Sequence, residues 1–87
     1  MSAIHFVIYS RSYCHLCEDM LHALEALRPE GDFTVEMIDV DADPVLLARY
    51  DELVPVLVGH KPDTPAQQLC HYFLDPAAVM QFFPEGN

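Results

Sequence analysis

The sequence predicts an α/β protein in which a four-stranded mixed sheet is flanked by three helices. Apolar runs of strand length alternate with helical patterns, a helix separates the first two runs, and only a short turn separates the last two. Strands joined through a helix run parallel with a right-handed crossover, whereas a short turn joins antiparallel strands. The predicted order is β-α-β-α-β-β-α, and we expect residues 1–87 to form one domain.

The first strand and the first helix follow from hydrophobic periodicity. Residues 4–9 form a continuous apolar run, which is typical of a strand buried on both faces at the centre of a sheet. Residues 15–28 have the period of a helix, and Pro29 and Gly31 end it. One face of this helix is apolar, formed by Leu16, Met20, Leu24 and Leu27.

The second strand and the second helix follow. Residues 33–40 alternate at first and then become apolar, which indicates a strand more exposed than the first. Asp43 is a favourable N-cap residue, and Pro44 suits the first helical position because its missing N–H has no partner there. A short helix over residues 44–50 is predicted.

The last third of the chain predicts a hairpin and a final helix. Residues 53–58 form a strand with a proline near its start, and residues 59–65 are rich in turn-forming residues. Residues 68–73 form the returning strand. Asp75-Pro76 repeats the arrangement of N-cap and first-position proline, and a helix over residues 77–83 follows.

Charge and composition exclude several classes of protein. The formal net charge is -10, which disfavours nucleic acid and anionic membranes as partners because both require positive charge. No stretch is long and apolar enough for a membrane span, and residues 1–5 do not resemble a signal peptide. Three cysteines are too few for a secreted disulfide scaffold. We therefore expect a cytoplasmic protein, and we expect it to be a monomer.

Cys14 and Cys17 form a Cys-x-x-Cys motif where the first strand hands over to the first helix, which is a redox arrangement. The unpaired N–H groups and partial positive charge of a helix start stabilise a thiolate, and the thiolate is the attacking species. Cys14 is nearest the N-cap and is the predicted nucleophile. Cys17 lies about one turn further on and is predicted to resolve the mixed disulfide.

Other residues near the motif leave alternatives open. His15 either tunes the cysteine pair by placing positive charge near Cys14, or is a solvated residue of the helix start. Cys70 is interpreted as a small buried hydrophobic residue. A zinc site with Cys14, Cys17, Cys70 and a histidine is an alternative, but Cys70 and His71 are neighbours on one strand and point to opposite faces.

The element order, the motif and the proline of the third strand together resemble the thioredoxin fold in its minimal, glutaredoxin form. The resemblance covers nearly the whole chain and points to a bacterial glutaredoxin-like family. The segments that carry it are Tyr9-Ser10-Arg11, Cys14-His15-Leu16-Cys17, Asp39-Val40-Asp41-Ala42-Asp43-Pro44, Leu47-Ala48-Arg49-Tyr50 and Val54-Pro55-Val56-Leu57.

The resemblance implies a substrate site around the motif. In such folds the proline corresponding to Pro55 follows a cis peptide bond beside the cysteines, and the backbone at Val54 pairs with an extended substrate. Arg11 matches a basic residue three positions before the first cysteine, which binds a carboxylate or stabilises the thiolate. Tyr13 either shields the site or packs against a substrate chain, or it is an ordinary loop aromatic.

The implied function is thiol–disulfide exchange on a protein or small-molecule disulfide, with a thioredoxin-type reductase or glutathione as reductant. No bound cofactor is expected, and glutathione is expected only as a weak co-substrate. Glutaredoxins often have a Gly-Gly turn that holds the γ-glutamyl end of glutathione, whereas this chain has Phe73-Leu74-Asp75-Pro76. The alternative is a non-enzymatic binding or redox-sensing adaptor in which the cysteine pair is a switch.

Overall fold

The computed structural model describes residues 4–11, 14–27, 33–62 and 64–83. A 3₁₀ turn at Val40–Ala42 precedes the second helix. None of the helices within these ranges is long and apolar enough to cross a membrane. The strands are β1 (Ile4–Ser10), β2 (Phe33–Asp39), β3 (Val56–His60) and β4 (Gln67–His71). The helices are α1 (His15–Leu27), α2 (Pro44–Tyr50) and α3 (Pro76–Phe82).

The four strands form one mixed sheet in the order β2-β1-β3-β4. β1 pairs in parallel with β2 and antiparallel with β3, and β3 pairs antiparallel with β4. The predicted fold class, the parallel first pair and the closing hairpin are therefore confirmed. β1 lies between two neighbours and is largely buried, while β2 is an edge strand with several exposed residues, as the hydrophobic patterns indicate.

The two faces of the sheet are covered by different helices. α1 and α3 pack on one face, where Phe6, Ile8 and Leu57 of the strands are fully buried. α2 packs on the other face, over Val56 and Val58. Alternate residues of β1 and β3 point to opposite faces, so each strand contributes to both apolar clusters. The central strands are thereby fixed from both sides, and β1 and β3 position the loops at their ends.

Asp43 and Asp75 cap α2 and α3 as predicted. The Asp43 carboxylate accepts the backbone N–H of Val45 at 2.9 Å and that of Leu46 at 3.4 Å. The Asp75 carboxylate accepts two N–H groups of α3 in the same way. Each helix has proline at its first turn, where no intrahelical N–H partner exists.

Two strand boundaries differ from the sequence prediction. β3 begins at Val56 rather than at residue 53, because the N–H groups of Leu53 and Val54 donate to the Tyr50 carbonyl at 2.8 and 3.1 Å. These bonds close the end of α2 and draw the segment away from the sheet. β4 ends at His71 rather than at residue 73, because Tyr72 has a φ of 67°, which leaves the extended conformation. The predicted end of the first helix, Arg28, lies outside the described residues.

Candidate active site

Cys14 lies just beyond the end of β1, immediately before the first residue of α1. It forms a disulfide with Cys17, and their Cα atoms are 5.3 Å apart. The buried face of β1 and the packing of Met20 and Leu24 against the sheet fix the direction of α1. The sequence thus places the motif at a strand-to-helix junction, and the structure joins its two sulfurs.

The two cysteines differ in their exposure. Cys17 is 1% exposed, whereas Cys14 is partly accessible. The Cys17 backbone N–H donates to the Cys14 Sγ at 3.2 Å, so the sulfur takes the place that a side-chain oxygen has at an ordinary N-cap. A donor held in this position stabilises negative charge on sulfur and therefore favours a thiolate at Cys14 when the disulfide is reduced.

The Val54–Pro55 peptide bond is cis. Pro55 is buried and directly precedes Val56, which pairs with Tyr9 near the end of β1. This pairing places Pro55 at the end of the sheet where β1 leads into the segment that contains Cys14. The Val54 N–H already donates to Tyr50, and no donor among the described residues contacts the Val54 carbonyl. Of the two backbone groups of Val54, only the N–H therefore has a hydrogen-bond partner within the described residues.

The loop between β4 and α3 is tied to the proline segment by Tyr72. Its N–H donates to the Pro55 carbonyl at 2.9 Å, and its hydroxyl donates to the Glu52 carbonyl. The Phe73 N–H donates to the His71 carbonyl at 2.7 Å and closes a tight turn around Tyr72. The sequence does not predict this contact, because a tyrosine after an apolar strand gives no sign of a left-handed conformation.

Arg11 is held by a carboxylate. Its Nη2 lies 3.0 Å from the Asp41 Oδ1, and its Nε donates to both carboxylate oxygens of Asp41 at 3.1 and 3.3 Å. The arginine follows β1 and the aspartate follows β2, and parallel pairing brings these two strand ends together. The Arg11 cation therefore has an anionic partner. This ion pair competes with the interactions predicted for Arg11, with the Cys14 thiolate or with a substrate carboxylate.

Residues 5–83 match the family model described as a glutaredoxin-like domain. The chain belongs to this glutaredoxin-like family. It is similar to protein Ne2328 from Nitrosomonas europaea, with 33% identity and a TM-score of 0.81 over 97% of this chain and 95% of that one. No curated protein compared with the chain matches it.

Thioredoxins are more distant structural neighbours of this glutaredoxin-like chain. Chloroplastic thioredoxin z is 26% identical with a TM-score of 0.67, covering 92% of this chain and 74% of that one. A mutant thioredoxin from Halobacterium salinarum is 23% identical with a TM-score of 0.60, over 92% and 71% of the two chains, and it supports the fold alone. The thioredoxin-like fold with a cysteine pair at disulfide distance is consistent with a redox function.

Of the other residues predicted near the motif, His15 and Cys70 are described by the structure. Tyr13 lies outside the described residues. His15 is the first residue of α1, and its side chain is exposed. Cys70 is a free, partly buried thiol, and burial raises its pKa, although the Asp75 backbone N–H opposes part of this shift. Within the described ranges, no three His, Cys, Asp or Glu side chains are grouped so that they could hold a metal ion.

An apolar groove of about 200 Å³ lies beside the motif. One wall is formed by α1 and includes Leu16 and Met20, with Asp19 as its charged member. The other wall is formed by Tyr72, Phe73 and Leu74 of the loop before α3. Phe73 is 69% exposed, which is unusual for a side chain of its size. The groove thus reaches the motif at Leu16, which lies between the two cysteines in the sequence.

Proposed function

We propose that the protein catalyses thiol–disulfide exchange, with Cys14 as the nucleophile and Cys17 as the resolving cysteine. The observation that carries this proposal is the hydrogen bond from the Cys17 N–H to the Cys14 sulfur at the start of α1. It supports a stabilised thiolate on the more accessible cysteine of the pair. The buried cysteine is held close enough to close the ring, since the two already form a disulfide.

The reaction consists of two exchanges in which sulfur displaces sulfur. The Cys14 thiolate attacks a substrate disulfide, forms a mixed disulfide and releases the first substrate thiolate. Cys17 loses its proton and attacks the Cys14 sulfur, so that the second substrate thiolate leaves and the Cys14–Cys17 disulfide forms. The substrate gains two electrons and the protein loses two. A dithiol reductant then restores the pair by the reverse sequence.

An extended peptide is the substrate form that suits this site. The Val54 carbonyl offers one acceptor for a backbone N–H of the substrate, in the manner of strand addition. The apolar groove beside Leu16 offers a surface for a substrate side chain. The net charge of -10 favours proteins with a basic docking face, because opposite potentials steer association.

Glutathione is a poor fit to the same site. A γ-glutamyl carboxylate needs backbone donors near the start of α3, but four of the donors there already have partners and Pro76 has none to offer. These pairs are Tyr72 with Pro55, Phe73 with His71, and Ala77 and Ala78 with the Asp75 carboxylate. An unmatched polar group costs about 1–3 kcal/mol, or roughly one to two decades of affinity. We propose a thioredoxin-type reductase or dithiothreitol as the efficient reductant.

Catalytic turnover of a peptide disulfide tests the proposal. The oxidised peptide is supplied in excess with dithiothreitol or with a thioredoxin reductase and its nicotinamide cofactor. An enzyme completes many turnovers per molecule, whereas a redox-sensing adaptor reacts once per Cys14–Cys17 pair. Cys17→Ser, which retains the nucleophile, should accumulate a mixed disulfide on Cys14, and Cys70→Ser is the control that should behave like the wild type. Stoichiometric reaction with every reductant would favour the adaptor.

A further inference from the structure

We propose that Tyr72 is a positioning residue that holds residues 52–55 in place for a peptide substrate, and that its hydroxyl is needed for this. The inference rests on the proposed exchange reaction and concerns how the substrate chain is aligned. It does not concern the reactivity of the sulfurs, which belongs to the start of α1.

The backbone of Tyr72 is the first observation. Its φ of 67° lies in the left-handed region, which is unfavourable for a bulky residue because Cβ approaches the following carbonyl. The bond between the Phe73 N–H and the His71 carbonyl closes a turn around it. Conformations of this kind persist only where the surrounding structure holds them, and they cluster at functional sites.

The two bonds from Tyr72 to the neighbouring loop are the second observation. Its N–H fixes the Pro55 carbonyl at 2.9 Å, and its hydroxyl fixes the Glu52 carbonyl three residues earlier. Between these anchors, Leu53 and Val54 donate to the Tyr50 carbonyl at the end of α2. The segment is therefore held from both sides, and Tyr72 is the link between it and the loop before α3.

The consequence for the substrate follows from where these bonds lie. The Val54 carbonyl is the proposed acceptor for the substrate backbone, and it lies between the two carbonyls that Tyr72 holds. If the hydroxyl is lost, the Glu52 end of the segment loses its anchor and the acceptor is less well placed. Cys14 belongs to a different element, so its thiolate should be unaffected. The rate of exchange with a small disulfide that has no peptide backbone should not change when the hydroxyl is lost.

The test compares Tyr72→Phe with Tyr9→Phe, which removes the same atom from a tyrosine stacked on Tyr50 at 4.6 Å. Each variant is assayed with a peptide disulfide and with hydroxyethyl disulfide, and the alkylation rate of Cys14 is measured in the reduced protein. Tyr72→Phe should raise the KM for the peptide about threefold to tenfold, the effect of one neutral hydrogen bond. Its kcat, its rate with the small disulfide and its alkylation rate should stay within about twofold of the wild type.

Tyr72→Gly is the second variant, because it removes the hydroxyl but accepts the left-handed backbone without strain. It should show at least the same rise in KM for the peptide, since it also removes a ring that lines the apolar groove, even if it melts at a higher temperature than Tyr72→Phe. Unchanged peptide KM in both variants, or an equal loss with both substrates, would overturn the role of Tyr72. A wild-type protein that turns over neither substrate would instead overturn the proposed function, so the two failures are distinguishable.

Discussion

The starts of α1 and α3 lie at the same end of the sheet, but different side chains accept hydrogen bonds from their free N–H groups. At the start of α3 the Asp75 carboxylate accepts from Ala77 and Ala78 at 3.1 and 3.3 Å. At the start of α1 the corresponding acceptor is the Cys14 sulfur, which accepts from Cys17. The cap of α3 is a side-chain oxygen, whereas the cap of α1 is a sulfur that can carry a charge only after the disulfide is reduced.

The comparison indicates which helix start is available for chemistry. The Asp75 carboxylate accepts from the donors of α3, so these N–H groups are not available to an external anion. At the start of α1 the Cys17 N–H donates instead to a sulfur, and the charge of this sulfur changes during the proposed reaction. α2 follows the pattern of α3, with Asp43 as its cap and Pro44 behind it. A substitution of Asp43 is therefore a matched control for the same substitution of Asp75, because each removes an aspartate cap from a short helix.

The largest expected effect comes from removing the sulfur at the start of α1. Cys14→Ser should abolish disulfide turnover, because a serine hydroxyl is not a nucleophile toward disulfides at neutral pH. Cys17→Ser should also stop turnover, but Cys14 should still alkylate quickly with iodoacetamide. Mass mapping after brief treatment of the reduced proteins distinguishes the two. Preferential labelling of Cys17 in the wild type would reverse the proposed roles.

The next effect concerns the cap of α3. Asp75→Ala and Asp43→Ala should each lower stability by about 1 kcal/mol, since each removes a carboxylate cap. For a domain of this size the loss corresponds to roughly 4–8 °C in Tm. Only Asp75→Ala should improve the KM for glutathione, by roughly fivefold, because it releases donors beside the site.

The conservative variant Asp75→Asn separates the released donors from the lost charge. Asparagine is an equally good cap, so it should keep the N–H groups of Ala77 and Ala78 occupied. Steady-state kinetics with glutathione should then resemble the wild type. If Asp75→Asn improves the KM as much as Asp75→Ala does, the negative charge and not the missing donors explains weak recognition.

A smaller effect separates the thiols by pH. Burial raises the pKa of Cys70, so this thiol should stay protonated over the pH range in which an ordinary cysteine, with a pKa of about 8.5, ionises. The reduced protein should therefore label at Cys14 near neutral pH and at Cys70 only in more alkaline solution. The folded state favours the neutral Cys70 thiol, so this residue's contribution to stability is present below the ordinary thiol pKa. It is lost as the pH rises toward the raised value.

Most of the fold was predictable because its elements depend on local patterns. The apolar run of β1, the period of α1 and the two Asp-Pro helix starts each specify an element without help from distant residues. The cysteine pair was equally predictable, since its spacing and its place before a helix can be recognised in the sequence. The order of the strands then followed from the length of the connections between them.

What was not predictable depends on residues far apart in the sequence. Tyr72 bonds to Glu52 and Pro55, about twenty residues earlier, and its left-handed backbone has no local signal. The partner of Arg11 is thirty residues away and becomes a neighbour only through the parallel pairing of β1 with β2. Position relative to the motif predicted a role for Arg11 but not its ion pair.

The smallest expected effect tests that role. The Arg11–Asp41 pair is partly exposed, and such pairs contribute about 0–1 kcal/mol to stability. Because Asp41 offsets the charge of the guanidinium, Arg11→Gln should change the alkylation rate of Cys14 by less than about twofold. Asp41→Asn leaves the cation without its anion and should accelerate alkylation slightly, and the double variant should return to the wild-type rate. A loss of tenfold or more in Arg11→Gln alone would show that the arginine acts directly on the thiolate, as the family resemblance implies, and that its bond to Asp41 is broken when Cys14 is reduced.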